Sequence, residues 1–125
     1  MRLLLDTQVV LWWFIMPKRL SARTTKAIAR SRSQVYVSAV TPWEIEIKRA
    51  LGKLKTPADL PEQLVRSRFE ELPLQTRHVQ LLRTLPPLHQ DPFDRILICQ
   101  ATCEDLTLVT ADPNILEYPV RHLKA

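Results

Sequence analysis

The chain has 125 residues, which is near the usual size of one domain, and we expect a single domain over residues 1–125. A composition of 46% apolar and 25% charged residues is typical of globular proteins and argues against a disordered or fibrous chain. The single glycine excludes glycine-rich phosphate-binding loops, and two cysteines are too few for a disulfide framework or a cysteine-based zinc site. The apolar run Val9 to Met16 is too short to span a bilayer, and no targeting signal precedes it. We therefore expect a cytoplasmic protein that does not enter a membrane.

The net charge of +5 is unevenly distributed along the chain. No acidic residue lies between Asp6 and Glu44, whereas the basic segment of this region contains Lys18, Arg19, Arg23, Lys26, Arg30 and Arg32. A basic surface of this kind attracts polyanions such as nucleic acid. A solvated helix face that only keeps the protein soluble is at least as common, so charge alone does not identify the partner.

The first half of the chain alternates short apolar strands with helices. Strands are predicted over 2–5 and 35–37, and helices over 7–15 and 21–31. The sequence Thr41-Pro42-Trp43-Glu44 has the form of a capping box with proline at the first helical position. It predicts a helix that runs to Leu51, with Gly52 in the left-handed conformation after its end.

The second half continues the alternation. Helices are predicted over 62–69, 76–85 and 91–104, strands over 72–74, 106–109 and 120–123, and one more helical turn from Asp112. Strands that alternate with helices in one short chain predict an α/β protein. We expect three α/β/α layers with a central, mainly parallel sheet.

Four carboxylates are expected at one edge of this sheet. Asp6 and Asp112 follow predicted strands, and Glu44 and Asp94 lie in the first turns of helices that enter from the same edge. Carboxylates brought together repel one another unless a cation compensates, and hard oxygen ligands select Mg²⁺ or Mn²⁺. Such a cation activates water for attack on a phosphodiester, so the pattern indicates a metal-dependent hydrolase.

Each carboxylate also has an ordinary structural explanation. Capping together with an ion pair to Lys48 would account for Glu44, and any acid is favoured in the first helical turn where Asp94 lies. Asp112 and Asp91 each precede a proline, as N-cap residues often do. For Asp91 we adopt this structural explanation and assign no function. Asp6 is harder to explain in this way. It ends a strand that should be buried, and an unpaired buried carboxylate is costly.

The remaining polar candidates are weaker. The hydroxyls of Ser38 and Thr110 are at strand ends, where they either bond to metal-associated water or act as turn and capping groups. The three histidines lack metal-ligand spacing. We expect His78 on a helix surface, His89 in a proline-flanked loop and His122 at a sheet edge, and we assign none of them to catalysis.

Five short motifs and a tryptophan pair, in order along the chain, resemble the PIN-domain family, and more narrowly the VapC-type toxins of bacterial toxin–antitoxin pairs. They are Leu-Leu-Asp-Thr at 4–7 with Trp12-Trp13, Ser-Ala-Val-Thr-Pro-Trp-Glu-Ile at 38–45, Leu-Gly-Lys-Leu at 51–54, Asp-Pro-Phe-Asp-Arg at 91–95 and Thr-Ala-Asp at 110–112. The resemblance extends from residue 3 to about residue 123. Two positions depart from it: Gln8 stands where many relatives have histidine, and Ile115 where an aromatic residue is common.

This resemblance implies the α/β/α fold, a Mg²⁺- or Mn²⁺-dependent endoribonuclease acting on RNA, a homodimer, and inhibition by a small antitoxin protein. The four acids of the family fall on Asp6, Glu44, Asp94 and Asp112, as catalytic residues and metal ligands. Asp94 rather than Asp91 takes the third position. The resemblance also suggests that part of the N-terminal helical layer contacts the second protomer or the antitoxin.

Two other functions fit parts of the sequence. A phosphatase with Asp6 as the covalent nucleophile would suit a strand followed by aspartate, but Gln8 stands where its partner acid would be. A catalytically silent module would keep the fold and a protein partner while cleaving nothing. The presence of all four acids argues against it.

Overall fold

The computed structural model describes residues 1–31 and 34–125, so Arg32 of the basic segment lies outside the described residues. The strands are β1 (Leu3–Leu5), β2 (Val35–Ser38), β3 (Glu70–Leu72), β4 (Thr107–Thr110) and β5 (His122–Lys124). The helices are α1 (Thr7–Ile15), α2 (Ala22–Arg30), α3 (Val40–Ala50), α4 (Leu60–Arg66), α5 (Thr76–Gln80), α6 (Pro92–Cys103) and α7 (Pro113–Leu116).

The strands form one sheet in the order β3-β2-β1-β4-β5, and each pair of neighbours is parallel. At its centre, Leu4 of β1 lies opposite Tyr36 of β2 and Leu108 of β4. The predicted α/β class with a central parallel sheet is therefore confirmed. The strand expected over 72–74 lies over Glu70–Leu72 instead. It is an edge strand that pairs only with β2, so it can include the exposed acidic residues Glu70 and Glu71.

Helices cover both faces of the sheet because the side chains of β1 alternate between them. Leu3 and Leu5 pack with α1 and α2 in a core that includes Val9 and Ile28. Leu4 faces the other way and packs in a second core, which α6, α7 and the segment after α7 complete. All three leucines are fully buried, so β1 is the centre of the molecule.

Helix α3 does not begin with the predicted capping box. It starts at Val40, one residue before Thr41, and Ala39 is its N-cap without a side-chain hydrogen bond. The capping bond comes from the end of β2 instead, where the Ser38 hydroxyl accepts from the Val40 N–H at 3.0 Å. Ser38 is thus a capping group, which frees the Thr41 and Glu44 side chains from that role.

The prediction that His78 lies on a helix surface is wrong, because its side chain is fully buried. α5 is a single short turn packed against α6, and a 3₁₀ turn over Leu81–Thr84 follows it. The His78 Nδ1 accepts from the Gln75 N–H at 3.0 Å, and its Nε2 donates to Glu104 at 3.0 Å. This hydrogen bond, with Arg77 beside it, lowers the pKa of Glu104.

Among the residues that the structure describes, no helix is long and apolar enough to cross a membrane.

Helix α3 ends as predicted, with Gly52 at a φ of +71°. The Gly52 N–H donates to the Arg49 carbonyl at 3.0 Å, and the Lys53 N–H donates to the Lys48 carbonyl at 2.9 Å. These two bonds form a Schellman motif, which satisfies the last carbonyls of the helix. Nothing lies within 4 Å of a Cβ placed on Gly52, so the requirement for glycine comes from the backbone conformation alone.

We expect Gly52→Ala to lower the free energy of unfolding by about 1 kcal/mol, the cost of a left-handed residue with a side chain. Gly52→Asn should cost less, because asparagine tolerates this conformation. Urea denaturation of the three proteins measures both differences. Equal stability of the alanine and glycine proteins would contradict the prediction.

Candidate active site

A pocket of about 540 Å³ opens at the carboxyl ends of β1 and β4. The chain continues from β1 toward β2 on one side and from β4 toward β5 on the other, which makes this the switch point of the sheet, where α/β proteins bind ligands. The four acids predicted from the sequence, Asp6, Glu44, Asp94 and Asp112, all line this pocket.

Asp6 is buried, with 4% of its surface exposed. It is the N-cap of α1: its Oδ1 accepts from the Val9 N–H at 2.8 Å, while its own N–H donates to the Val109 carbonyl at 3.0 Å. Burial raises the pKa of Asp6 to about 7, against the lowering effect of hydrogen bonds from Thr110 and Val9. At neutral pH the site therefore contains a carboxylate whose charge is poorly compensated.

Glu44 is also buried, with 3% of its surface exposed, and both of its oxygens are held. Oε1 accepts from the Thr7 hydroxyl at 2.6 Å, and Oε2 accepts from the Lys48 Nζ at 2.5 Å. The predicted ion pair with Lys48 is present, and the hydrogen bond to Glu44 raises the pKa of Lys48. Contacts from α1 and α3 thus fix Glu44 in the pocket without a capping box.

The structure separates the roles of Asp91 and Asp94. Asp91 is the N-cap of α6 and accepts from the Phe93 and Asp94 N–H groups at 2.8 and 3.1 Å, as predicted. Both residues line the pocket, but Asp91 is the one held in the cap. Burial raises the pKa of Asp94 to about 6, and the nearby Asp91 charge adds to the effect. The charge of Asp94 is therefore also poorly compensated.

Asp112 caps α7, as predicted, and also lines the pocket. Its Oδ1 accepts from the Asn114 N–H at 2.8 Å and caps α7, while its Oδ2 lies in the pocket. The buried Thr110 hydroxyl at the end of β4 accepts from the Asp112 N–H at 3.0 Å. Asp112 is the most open of the four acids, with 30% of its side chain exposed.

His89, which was not expected at the site, also lines the pocket. Its Nε2 lies 2.8 Å from Asp94 Oδ2 and 3.3 Å from Asp112 Oδ2. The weak sequence signal for this placement is that His89 precedes Asp91, the cap residue of α6, by two positions. A histidine in a loop carries no periodicity that would indicate which way it points.

The donor set fits a hard divalent cation. Oxygen atoms of Asp94 and Asp112 and the His89 Nε2 all lie within 4.8 Å of one another, so the two carboxylates are close enough to share an ion. Burial raises the pKa values of Asp6 and Asp94. The positive charge of a bound Mg²⁺ or Mn²⁺ would stabilise both carboxylates. Lys48 pairs with Glu44.

Basic and aromatic side chains complete the pocket. Lys48, Lys53 and Trp12 line it. Trp43 and Phe93 directly precede Glu44 and Asp94 in sequence, and their rings meet edge to face with centroids 5.1 Å apart. Trp43 is 59% exposed, so part of this aromatic pair faces solvent.

Comparisons with solved structures agree with this fold. The chain has a TM-score of 0.75 and 16% identity to a chain in the crystal structure of VapBC2 from Rickettsia felis bound to a promoter DNA fragment, covering 99% of this chain and 98% of that one. DNA-bound VapBC from Salmonella typhimurium gives a TM-score of 0.69 at 18% identity, with coverage of 99% and 98%. FitAB bound to an IR36 DNA fragment gives 0.67 at 18%, with coverage of 98% and 94%.

No curated protein matches the chain significantly in sequence. The family model described as PIN domain matches residues 3–120, which include all four acids. PIN domains are generally nucleases that use divalent metals. By this match, the chain belongs to the PIN domain family.

Proposed function

We propose that this protein is a Mg²⁺- or Mn²⁺-dependent endoribonuclease of the VapC type, the toxin of a type II toxin–antitoxin pair. The observation that supports this function most is the buried cluster of acids at the switch point of the sheet, where the pKa values of Asp6 and Asp94 are both raised. Asp6, Glu44, Asp94 and Asp112 are its proposed catalytic residues and metal ligands.

In this mechanism water is the nucleophile, and no side chain acts as a covalent nucleophile. Asp6, Glu44, Asp94 and Asp112 would hold the cation directly or through water. When bound, a divalent cation supplies Lewis acidity toward water and phosphate oxygens. Lys48, held by Glu44, adds positive charge at the pocket wall where a phosphate approaches.

The surface around the pocket supports a nucleic-acid substrate. Lys48 and Lys53 line the pocket, and the basic segment before β2 adds to a sequence pI of about 9.6. The exposed Trp43 ring, on the residue before Glu44, offers a surface on which an unstacked base can lie. An exposed aromatic residue next in sequence to a pocket acid favours single-stranded RNA over a small phosphate ester.

The proposed partners are a small antitoxin protein and a second copy of the chain. The structures of similar fold include the two-component complexes VapBC and FitAB, and this chain covers nearly the whole of the matched chain in each. Exposed apolar side chains at the end of α1, Ile15 and Met16, are available for such contacts.

We expect purified protein, freed of any co-purifying partner, to cleave RNA in Mg²⁺ or Mn²⁺ and not in EDTA. Asp6→Asn and Asp94→Asn should each reduce the rate by more than about 100-fold, which exceeds the usual effect of residues outside the ligand shell. Gel-based cleavage of structured RNAs measures this rate.

Two variants serve as controls for that assay. Asp91→Asn keeps an N-cap of equal quality and should reduce the rate by less than about tenfold, because Asp91 is not a proposed ligand. Asp105→Asn, at an exposed position with positive φ, should leave the rate unchanged. Cleavage that persists in EDTA would contradict the mechanism, and trapped phosphate on Asp6 would indicate a phosphatase. Metal binding without cleavage would indicate a silent binding module.

The raised pKa of Asp6 predicts how the stability of the metal-free protein depends on pH. A carboxyl whose pKa is about 7 in the folded state and 3.8 otherwise binds its proton more tightly when folded. Between these values the free energy of unfolding should fall as pH rises, by up to about 1.4 kcal/mol per pH unit for this proton. Above about pH 7 that stabilising contribution is lost.

Urea denaturation in EDTA between about pH 5.5 and pH 8 tests this dependence. Asp6→Asn keeps the cap of α1 but has no proton to lose, so it should gain stability relative to the native protein as pH rises. Mn²⁺ should stabilise the native protein most at the upper end of the range. Parallel pH profiles for the two proteins would show that the charge of Asp6 is compensated without a metal.

The aromatic pair predicts a difference between substrates. Trp43→Ala should raise the KM for RNA about fivefold or more, from the loss of one stacked base, while Trp43→Phe should retain most of the affinity. Hydrolysis of a small phosphodiester such as bis(p-nitrophenyl) phosphate should be unchanged. Val65→Ala, which removes an exposed apolar side chain elsewhere, is the matched control. An equal loss on both substrates would argue against base stacking.

A further inference from the structure

The loop over residues 86–89 delivers a histidine between two of the pocket's acids. We propose that His89 is a positioning residue: its imidazole holds Asp94 and Asp112 at the spacing that a divalent cation needs, and so sets the affinity of the site for metal. This inference rests on the metal site of the proposed function and adds a residue to it.

The contacts of the His89 ring support this role. Its Nε2 lies 2.8 Å from Asp94 Oδ2 and 3.3 Å from Asp112 Oδ2, and 15% of its side chain is exposed. Because carboxylate oxygens are acceptors, an N–H at this position donates to Asp94 and also attracts Asp112. One group thus links the first turn of α6 to the residue that caps α7.

The backbone of His89 is itself held in place by Tyr118. The buried Tyr118 hydroxyl accepts from the N–H groups of Leu88 at 3.0 Å and of His89 at 2.8 Å, and donates to the Pro86 carbonyl at 2.7 Å. This uses the one donor and both acceptor positions of a hydroxyl. Because every hydrogen-bonding position of this buried hydroxyl is used, Tyr118 holds the loop in place.

Arg95 holds the other side of the same loop. Its Nη1 lies 3.3 Å from the His89 carbonyl and 3.2 Å from the Pro86 carbonyl. The N–H and the C=O of His89 therefore both have partners from outside the loop, and the imidazole is directed at the acids by groups that do not touch them.

The carboxylate that depends most on this link is Asp112. It is the most exposed acid of the pocket, and only its Oδ1 is held by the cap of α7. Without His89, Asp94 and Asp112 would repel each other, and the more exposed Asp112 would be free to turn toward solvent. A cation would then have to draw it back, which lowers the affinity. Loss of a group that orients metal-ligating carboxylates typically costs about 10- to 100-fold in metal affinity.

Calorimetric titration of the EDTA-stripped and dialysed protein with Mn²⁺ tests the proposal without any RNA. His89→Ala should raise the Kd for Mn²⁺ at least about tenfold. His89→Gln, whose amide can place an N–H near the same point, should recover most of the affinity. Tyr118→Phe keeps the His89 ring but removes its anchor, and should give an intermediate Kd.

His122→Ala, at an exposed position on β5, is the matched histidine control and should bind Mn²⁺ like the native protein. Circular dichroism establishes that each variant is folded. An unchanged or lower Kd in His89→Ala would overturn the proposal, as would an equal loss in the alanine and glutamine variants. If the native protein binds Mn²⁺ and His89→Ala weakens that binding, but the native protein cleaves no RNA, the proposed nuclease activity would be wrong. This inference would still hold.

Discussion

The site depends on like charges held together in a poorly solvated place. Burial of Asp6 and Asp94 raises both pKa values, and this unfavourable arrangement persists because the leucine core around β1 and the packing of α6 fix the backbone beneath them. A protein selected only for stability would replace such a cluster with apolar or paired residues. Its presence at the switch point of the sheet therefore points to a ligand that supplies positive charge.

Much of the fold could be predicted because it follows from local patterns. The alternation of short apolar runs with capped helices was enough for the α/β class, and Gly52 marked the end of α3 correctly. The two errors have different causes. The Ser38 hydroxyl, rather than Thr41, caps α3 through a local bond, whereas the packing of α5 on α6 buried His78. The second event leaves no signal in the residues next to His78.

The candidate site shows the same division between what local patterns reveal and what tertiary contacts decide. Acids that follow strands or begin helices could be located, since element ends meet at one sheet edge, and Asp91 could be recognised as a cap. The position of His89 could not, because it depends on the Tyr118 hydroxyl, about thirty residues away in sequence and part of the second core. Structural neighbours at 16–18% identity support the fold, whereas the chemistry rests on the residues themselves.

The register of the central strand has a consequence for how the pocket forms. Leu4 pairs with Leu108, so β1 gains its β4 neighbour only when the chain closes the long loop between these two residues. Asp6 and Asp112 therefore come together only once this long-range pairing has formed, and the pocket depends on completion of the sheet rather than on any local segment.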